Sequence, residues 1–150
     1  MQLVMAETDQ CTELSDLCLR SKAYWEYDEE FIEACRDALT VSAEAVQLGN
    51  VMTAVHANGG VCGVAQIITE GENAILDKLF IDPPAIGTGA GKILFHWVKD
   101  ECERRGVKAI SIDADPDAEP FYAAMGAKTI GKAESTVTPG RFLPLMEYRL

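Results

Sequence analysis

The spacing of apolar residues along the chain switches between a helical and a strand period, and the switches predict a mixed α/β order. After a short apolar start, MQLVM, the segment from Thr8 carries Cys11, Leu14, Leu17 and Cys18 on one helical face. Thr8 is the expected cap and Ser21 the approximate end. Asp28 is placed to cap a second helix with the stripe Phe31, Ile32, Cys35 and Leu39. Glu29 and Glu30 fall in its first turn, where the helix dipole favours acids. From about Asn50 the period becomes that of strands. Val51 to His56 and Val61 to Thr69 flank HANGG, whose Asn58-Gly59 pair suits a tight hairpin turn. A further strand runs from Ala74 to Asp82 and stops at Pro83-Pro84, which cannot donate ladder bonds.

A glycine-rich loop follows, then a helix to about Arg105 closed by Gly106. The strand AISIDA alternates Ile110 and Ile112 with small or polar residues, and a short helix carries Phe121, Tyr122 and Met125 before Gly126 ends it. Strand-like runs near Thr129 and from Leu145 to Leu150 complete the order. With no internal repeat, low-complexity tract or linker, residues 1–150 read as a single domain, long enough to bury roughly 70% of the surface its unfolded form exposes.

Charge narrows the partners. Thirteen basic against twenty-four acidic residues give a net charge of −11, which repels a polyanion such as nucleic acid, although acidic surface most often serves solubility. The apolar runs are too short to span a bilayer, and Met1 to Leu17 carries acids where a secretory leader would be basic and apolar, so a soluble cytoplasmic protein is expected. Cys11, Cys18, Cys35, Cys62 and Cys102 form no CxxC pair and read as free thiols, four of them on apolar faces. His56 and His96 belong to no ligand-spaced pair, so no metal is expected, and His96 reads as a partly buried helix residue.

The stretch IDPPAIGTGAGKILF, with Gly87, Gly89 and Gly91 at alternate positions before a helix, is the densest chemical signal. Glycines let backbone approach a ligand closely, and a helix start offers unpaired N–H groups with partial positive charge, so an anion is the natural guest. A P-loop is excluded by Ile86 and Ile93 at its required glycine and hydroxyl positions. The dinucleotide fingerprint counted from Gly87 puts Lys92 where its third glycine belongs. Lys92 opposes the helix dipole unless an anion pairs with it; a solvated surface lysine is the equal alternative.

One glycine loop between the fourth strand and the following helix, within this order of elements, resembles the GCN5-related N-acetyltransferase (GNAT) family along essentially the whole chain. The family's loop, Q/R-x-x-G-x-G/A, aligns with Ile86-Gly87-Thr88-Gly89-Ala90-Gly91 after LFIDP, with Ile86 in the place of Gln or Arg. A second segment, DADPDAEPFYAAMGAK, is similar to the family's Asn-Pro, Phe-Tyr, Gly-Phe run, with Asp115 replacing Asn and Ala127 replacing Phe. The resemblance implies a mixed, mostly antiparallel central sheet with helices on both faces, splayed between the fourth and fifth strands. It implies acetyl-CoA as cosubstrate, a small-molecule amine acceptor and a tendency to form homodimers.

The resemblance also assigns places on this chain. The coenzyme A pyrophosphate falls to the amides of Gly87, Thr88, Gly89, Ala90 and Gly91 with Ile86 and Lys92 beside them, and a pantetheine contact falls to Asp115. The amides of Leu79, Phe80 and Ile81 would bind the thioester carbonyl, and Tyr122 would donate to the departing sulfur. Core packing is the reading for Phe121, the motif position for Tyr122. Asp77 is the nearest candidate base, with Glu70 and Glu72 at the turn outside it and water as the alternative. In AYWEYDEEF, Trp25, Glu26 and Tyr27 border the family's acceptor site, and aromatic faces with carboxylates favour a cationic amine; solvated helix-start residues and aromatic staples are the bland alternative. A non-catalytic acyl-CoA-binding module is the competing function, and Tyr122 favours the enzyme.

Overall fold

In the computed structural model, which describes residues 1–25 and 27–150, the strand period becomes β1 (Gln2–Met5), β2 (Val51–Val55), β3 (Val61–Glu70), β4 (Asn73–Ile81), β5 (Ala109–Asp113), β6 (Lys128–Glu134) and β7 (Phe142–Arg149). They hydrogen-bond in the order β1-β2-β3-β4-β5-β7-β6. The helices are α1 (Cys11–Ala23), α2 (Glu29–Cys35), α3 (Ala43–Gln47), α4 (Ala90–Arg104) and α5 (Glu119–Ala124). The β1–β2, β2–β3, β5–β7 and β6–β7 ladders are antiparallel, and β4–β5 is parallel. This is the mixed α/β class expected. The parallel ladder registers only Asn73, Ala74 and Ile75 with Ala109, Ile110 and Ser111, so the fourth and fifth strands part beyond Ile75.

Turn chemistry explains where these elements stop. At the β2–β3 hairpin Gly59 takes φ 90°, which a side chain resists, and His56 N–H donates to the Gly60 carbonyl at 2.8 Å. Asp82 makes the last bond of β4, its N–H donating to Cys62 O at 2.9 Å, before Pro83–Ala85 turn out of the sheet as a 3-10 turn. At the end of α4, Gly106 takes φ 81°; Val107 N–H reaches Cys102 O at 2.9 Å and Gly106 N–H reaches Glu103 O at 3.0 Å, the paired bonds of a Schellman end.

Four boundaries differ from expectation. Thr8 is not the cap of α1: the chain enters a 3-10 turn at Thr8–Gln10, preceded by Glu7, whose N–H is satisfied by Gln10 Oε1 at 2.9 Å. Asp28 does cap α2, accepting from Phe31 N–H at 2.7 Å, but α2 ends at Cys35 and Leu39 lies in the turns beyond it. The short helix α3 was not expected, yet Ser42 Oγ caps it by accepting from Ala45 N–H at 3.1 Å and Gly49, at φ 72°, closes it. β7 begins at Phe142 rather than Leu145, because Pro144 and its neighbours register with β6.

By contact density the chain forms two compact units, Met1–Gln66 with Lys78–Trp97, and Ile67–Asp77 with Val98–Leu150. The first has its core in Leu14, Leu17 and Cys18 of α1, Val51 and Ala54 of β2, Val64 and Ala65 of β3, and Leu94 and Phe95 of α4, each 1% exposed or less. Every residue of β2 is buried, the mark of a strand covered on both faces. The second unit buries Ile67, Val98, Cys102, Ile110, Ile112 and Met146. Cys18, Cys35, Cys62 and Cys102 are buried, Cys11, expected on the same helical face as Cys18, is half-buried, and all are free thiols.

Gly63 is a tightly packed glycine of the first unit. A Cβ there would stand 2.9 Å from both Ile81 Cδ1 and Leu94 Cδ1 and 3.4 Å from Phe80 O. Gly63→Ala is therefore expected to lower unfolding free energy by about 1–3 kcal/mol, the usual cost of overpacking, as read by urea denaturation. An unchanged midpoint would show that β4 and α4 yield freely at this point.

Candidate active site

The site residues expected in the cofactor loop all lie in the first unit. Along β4, Ala74, Leu76 and Lys78 are buried while Asn73, Ile75 and Asp77 are exposed, and this alternation ends at Leu79, Phe80 and Ile81, each half-buried. After the Pro83–Ala85 turn, Thr88 is tied back to Ala85 O by both its hydroxyl and its N–H, the latter at 3.2 Å. On either side of it Gly87 and Gly89 take φ 83° and 93°, left-handed values that side chains rarely adopt. Left-handed residues of this kind allow neighbouring amides to converge on an anion, though the Thr88 amide between them is already committed to Ala85 O.

The first ladder bond of α4 runs from Ile93 N–H to Gly89 O at 3.1 Å. The amides of Ala90, Gly91 and Lys92 therefore belong to the first turn and have no carbonyl within the helix to reach. Residues 86–89 are exposed, Ala90 is buried at 1%, and Lys92 is exposed. Ile86, in the place of a polar side chain, presents an apolar one to solvent.

Asp82 and Arg20 bound this loop on its strand side. Arg20 Nε donates to Asp82 Oδ1 and Arg20 Nη2 to Asp82 Oδ2, both at 3.1 Å. That hydrogen bond, with the Asp82 charge and against partial burial, holds the Arg20 guanidinium above its ordinary range. Arg20 lies in the last turn of α1, next to the aromatic segment. Tyr24 and Trp25 are exposed and meet edge to face at 5.0 Å. Tyr27 stacks on Phe31 at 4.4 Å, and Lys22 Nζ stands 4.9 Å from the Tyr27 ring centre, so that ring already faces a cation. Glu26 lies outside the described residues.

Tyr122, Asp115 and Asp77 belong to the second unit. Asp115 opens the turn into α5, its Oδ1 accepting from Asp117 N–H at 3.0 Å and its carbonyl from Glu119 N–H at 3.1 Å. The burial of the aromatic pair reverses expectation: Tyr122 is 7% exposed and Phe121 half-buried, the rings 5.2 Å apart. One turn of helix carries both, and side-chain direction on it decides which is covered. Burial, with a smaller push from the Asp115 charge, drives the Tyr122 hydroxyl well above its ordinary range and keeps it protonated. Asp77, Glu70 and Glu72 are exposed. His96 is exposed too, where partial burial was expected, and so is His56.

Three features escaped the sequence reading. Lys78 is 4% exposed, and its signal was available, since it continues the buried register of Ala74 and Leu76. Gln66, 8% exposed on β3, has an Oε1 with no hydrogen-bond partner among the described residues. The Arg20–Asp82 pair joins positions 62 residues apart, beyond any local pattern.

A profile of the acetyltransferase (GNAT) domain matches residues 8–147, and the chain belongs to that family. It is an acetyl-CoA-dependent N-acetyltransferase. The fold is shared with PaiA N-acetyltransferase of Thermoplasma acidophilum in complex with coenzyme A, at 16% identity and TM-score 0.80, over 99% of this chain and 98% of that one. A GNAT-family acetyltransferase of Staphylococcus aureus Mu50 superposes at 16% identity and TM-score 0.75, with coverage of 99% and 98%. An aminoglycoside 6'-N-acetyltransferase complexed with coenzyme A does so at 18% and 0.71, with coverage of 99% and 97%. No curated protein matches the chain in sequence.

The second unit carries an alkaline titration. Burial pushes the Cys102 thiol up to about 11, and the Tyr122 hydroxyl is raised further. A raised folded value favours the neutral form, so the Cys102 contribution is complete below its unfolded value of about 8.5 and lost as pH rises toward 11; that of Tyr122 is complete below about 10 and lost above it. The melting temperature is expected to hold to about pH 8.5 and then fall, with Tyr122→Phe flattening the part above about pH 10. Identical profiles for parent and variant above that pH would assign the titration elsewhere.

Proposed function

We propose that this acetyltransferase moves the acetyl group of acetyl-CoA to the amine of a small cationic acceptor in a direct ternary complex, without an acyl-enzyme. The observation that carries the reading is the pair of left-handed glycines, Gly87 and Gly89, opening the first turn of α4 straight after β4 in a chain matched by the family from residue 8 to 147. These residues fit coenzyme A: the first-turn amides of Ala90, Gly91 and Lys92, with those of Gly87 and Gly89 beside them, offer donors to a pyrophosphate, the Thr88 amide being held instead by Ala85 O, and the Lys92 ammonium adds charge at the same turn. Ile86 adds no hydrogen bond, which leaves the pyrophosphate to the backbone.

When bound, acetyl-CoA supplies an activated acyl carbon and a thiolate leaving group. In the proposed reaction, amides of Leu79, Phe80 and Ile81 hold the thioester oxygen as it gains negative charge. The acceptor nitrogen forms the new C–N bond, its proton passes to Asp77 or to water, and the C–S bond breaks with the electron pair on sulfur. Tyr122 steadies that sulfur. Because its hydroxyl is held protonated by burial, donating a full proton is uphill, and its part is a hydrogen bond during departure. Asp115 borders the pantetheine arm.

Exposed Trp25 and Tyr24 and the net charge of −11 support a cationic acceptor. The Tyr27 face is shared with Lys22, so a cationic acceptor would compete there rather than find it open. Five free thiols support a reducing, cytoplasmic setting, and among the described residues no helix is long and apolar enough to cross a membrane.

The test follows free thiol released from acetyl-CoA across a panel of cationic, neutral and anionic amines. Acetyl-CoA at roughly a hundred times its dissociation constant should stabilise the protein by about 2.7 kcal/mol, visible as a thermal shift. Turnover is expected with cationic amines first; a neutral or anionic acceptor outrunning all of them would refute the acceptor class. Thermal shift without thiol release on any amine would leave an acyl-CoA-binding module.

Tyr122→Phe removes only the donor. Acetyl-CoA affinity should persist while kcat falls about a hundredfold or more, within the range for losing one hydrogen-bond donor to developing negative charge. A kcat within about threefold of the parent would assign the sulfur to another donor or to water.

A further inference from the structure

We propose that Arg20 and Asp82 form a positioning strut for the transfer reaction, holding the aromatic segment after α1 in register with the cofactor loop after β4. The proposal rests on the reading of Trp25 and Tyr27 as an acceptor wall. Its basis is an unbroken chain of contacts within the first unit. Arg20 O accepts the N–H of Tyr24 at 3.2 Å, and Lys22 O accepts that of Trp25 at 3.3 Å, so the aromatic segment hangs from the turn that carries Arg20. The Arg20 guanidinium grips Asp82 through two bonds of 3.1 Å. Asp82 is itself a joint: its N–H donates to Cys62 O at 2.9 Å in β3, and its carbonyl accepts from Ala85 N–H at 2.8 Å. Ala85 O in turn holds Thr88, between the two left-handed glycines.

The pair is poorly placed to serve stability. The Arg20 side chain is 51% exposed and that of Asp82 23%, and ion pairs so exposed add little to folding. Asp16 and Glu13, on the same helix, also face the Arg20 charge, so charge balance does not require Asp82. What the two-pronged contact supplies is direction. A planar fork on a carboxylate fixes both partners in orientation, which a lysine cannot do. Small misplacements of substrate-holding groups cost rate far more than they cost stability.

The experiment compares Arg20→Lys, Arg20→Met, Asp82→Asn and the double variant Arg20→Met/Asp82→Asn in the full chain. Melting temperatures should stay within about 4 °C of the parent. The acceptor KM should rise about tenfold with a smaller change in kcat, and Arg20→Lys should behave like Arg20→Met because the fork is lost. The double variant should be no worse than either single one. Additive effects or full rescue by Arg20→Lys would overturn the strut, and so would an acceptor KM within about twofold of the parent in every variant where Trp25→Ala does raise it. Trp25→Ala separates the two readings. If it leaves the acceptor KM unchanged, the acceptor wall fails by itself, and the strut must then appear as a non-additive rise in acetyl-CoA KM, transmitted through Asp82 and Ala85; its absence overturns the proposal.

Discussion

The backbone of β4 has to stop pairing, and the remainder of the functional architecture follows from where it does. Its parallel ladder with β5 lasts from Asn73 to Ile75, and the strand itself is ended by the two prolines after Asp82. A strand inside a sheet has every amide committed to a neighbour. One that parts from its neighbour keeps amides that must find another acceptor, and in the proposed reaction that acceptor is the thioester carbonyl. The prolines then send the chain out of the sheet at Asp82, so that the next available structure is a turn, a glycine loop and a helix start. The glycine loop proposed to hold coenzyme A thus follows from the same limit on hydrogen bonding that ends the strand.

A loop that binds through backbone, as proposed, tolerates the departure from the family's pattern at Ile86. The left-handed φ values of Gly87 and Gly89 and the unpaired first turn of α4 exist whatever side chain precedes them. A side-chain contact can be exchanged for an apolar residue. The glycines cannot be exchanged on the same terms, because the strain of a left-handed side chain enters at once.

Side-chain chemistry is divided by burial. Tyr122 is covered and remains protonated, while Asp77, Glu70 and Glu72 are exposed to water. Burial keeps the hydroxyl neutral and able to give a hydrogen bond, whereas the exposed carboxylates stand open to solvent. The aromatic segment adds another division: Tyr27 is engaged by Lys22 and Phe31, whereas Tyr24 and Trp25 face solvent.

By itself the sequence determined the features that are settled by a few adjacent residues. Asn58-Gly59 made a hairpin, Asp28 capped α2, Gly106 closed α4 and Pro83 ended β4, because φ limits, missing donors and capping oxygens act within one turn of chain. The loop and the Phe-Tyr segment were legible for the same reason, as was the order of elements. Ser42 and Gly49 marked α3 just as locally, though five helical residues are too few to show a period. What only the tertiary structure decided is the company each side chain keeps. It covered Tyr122 rather than Phe121, buried Lys78 in an apolar register, left His96 in water and brought Arg20 against Asp82. Burial and ion pairing depend on residues far apart in the chain, and their energies are fixed by the packing of neighbours that no local pattern names.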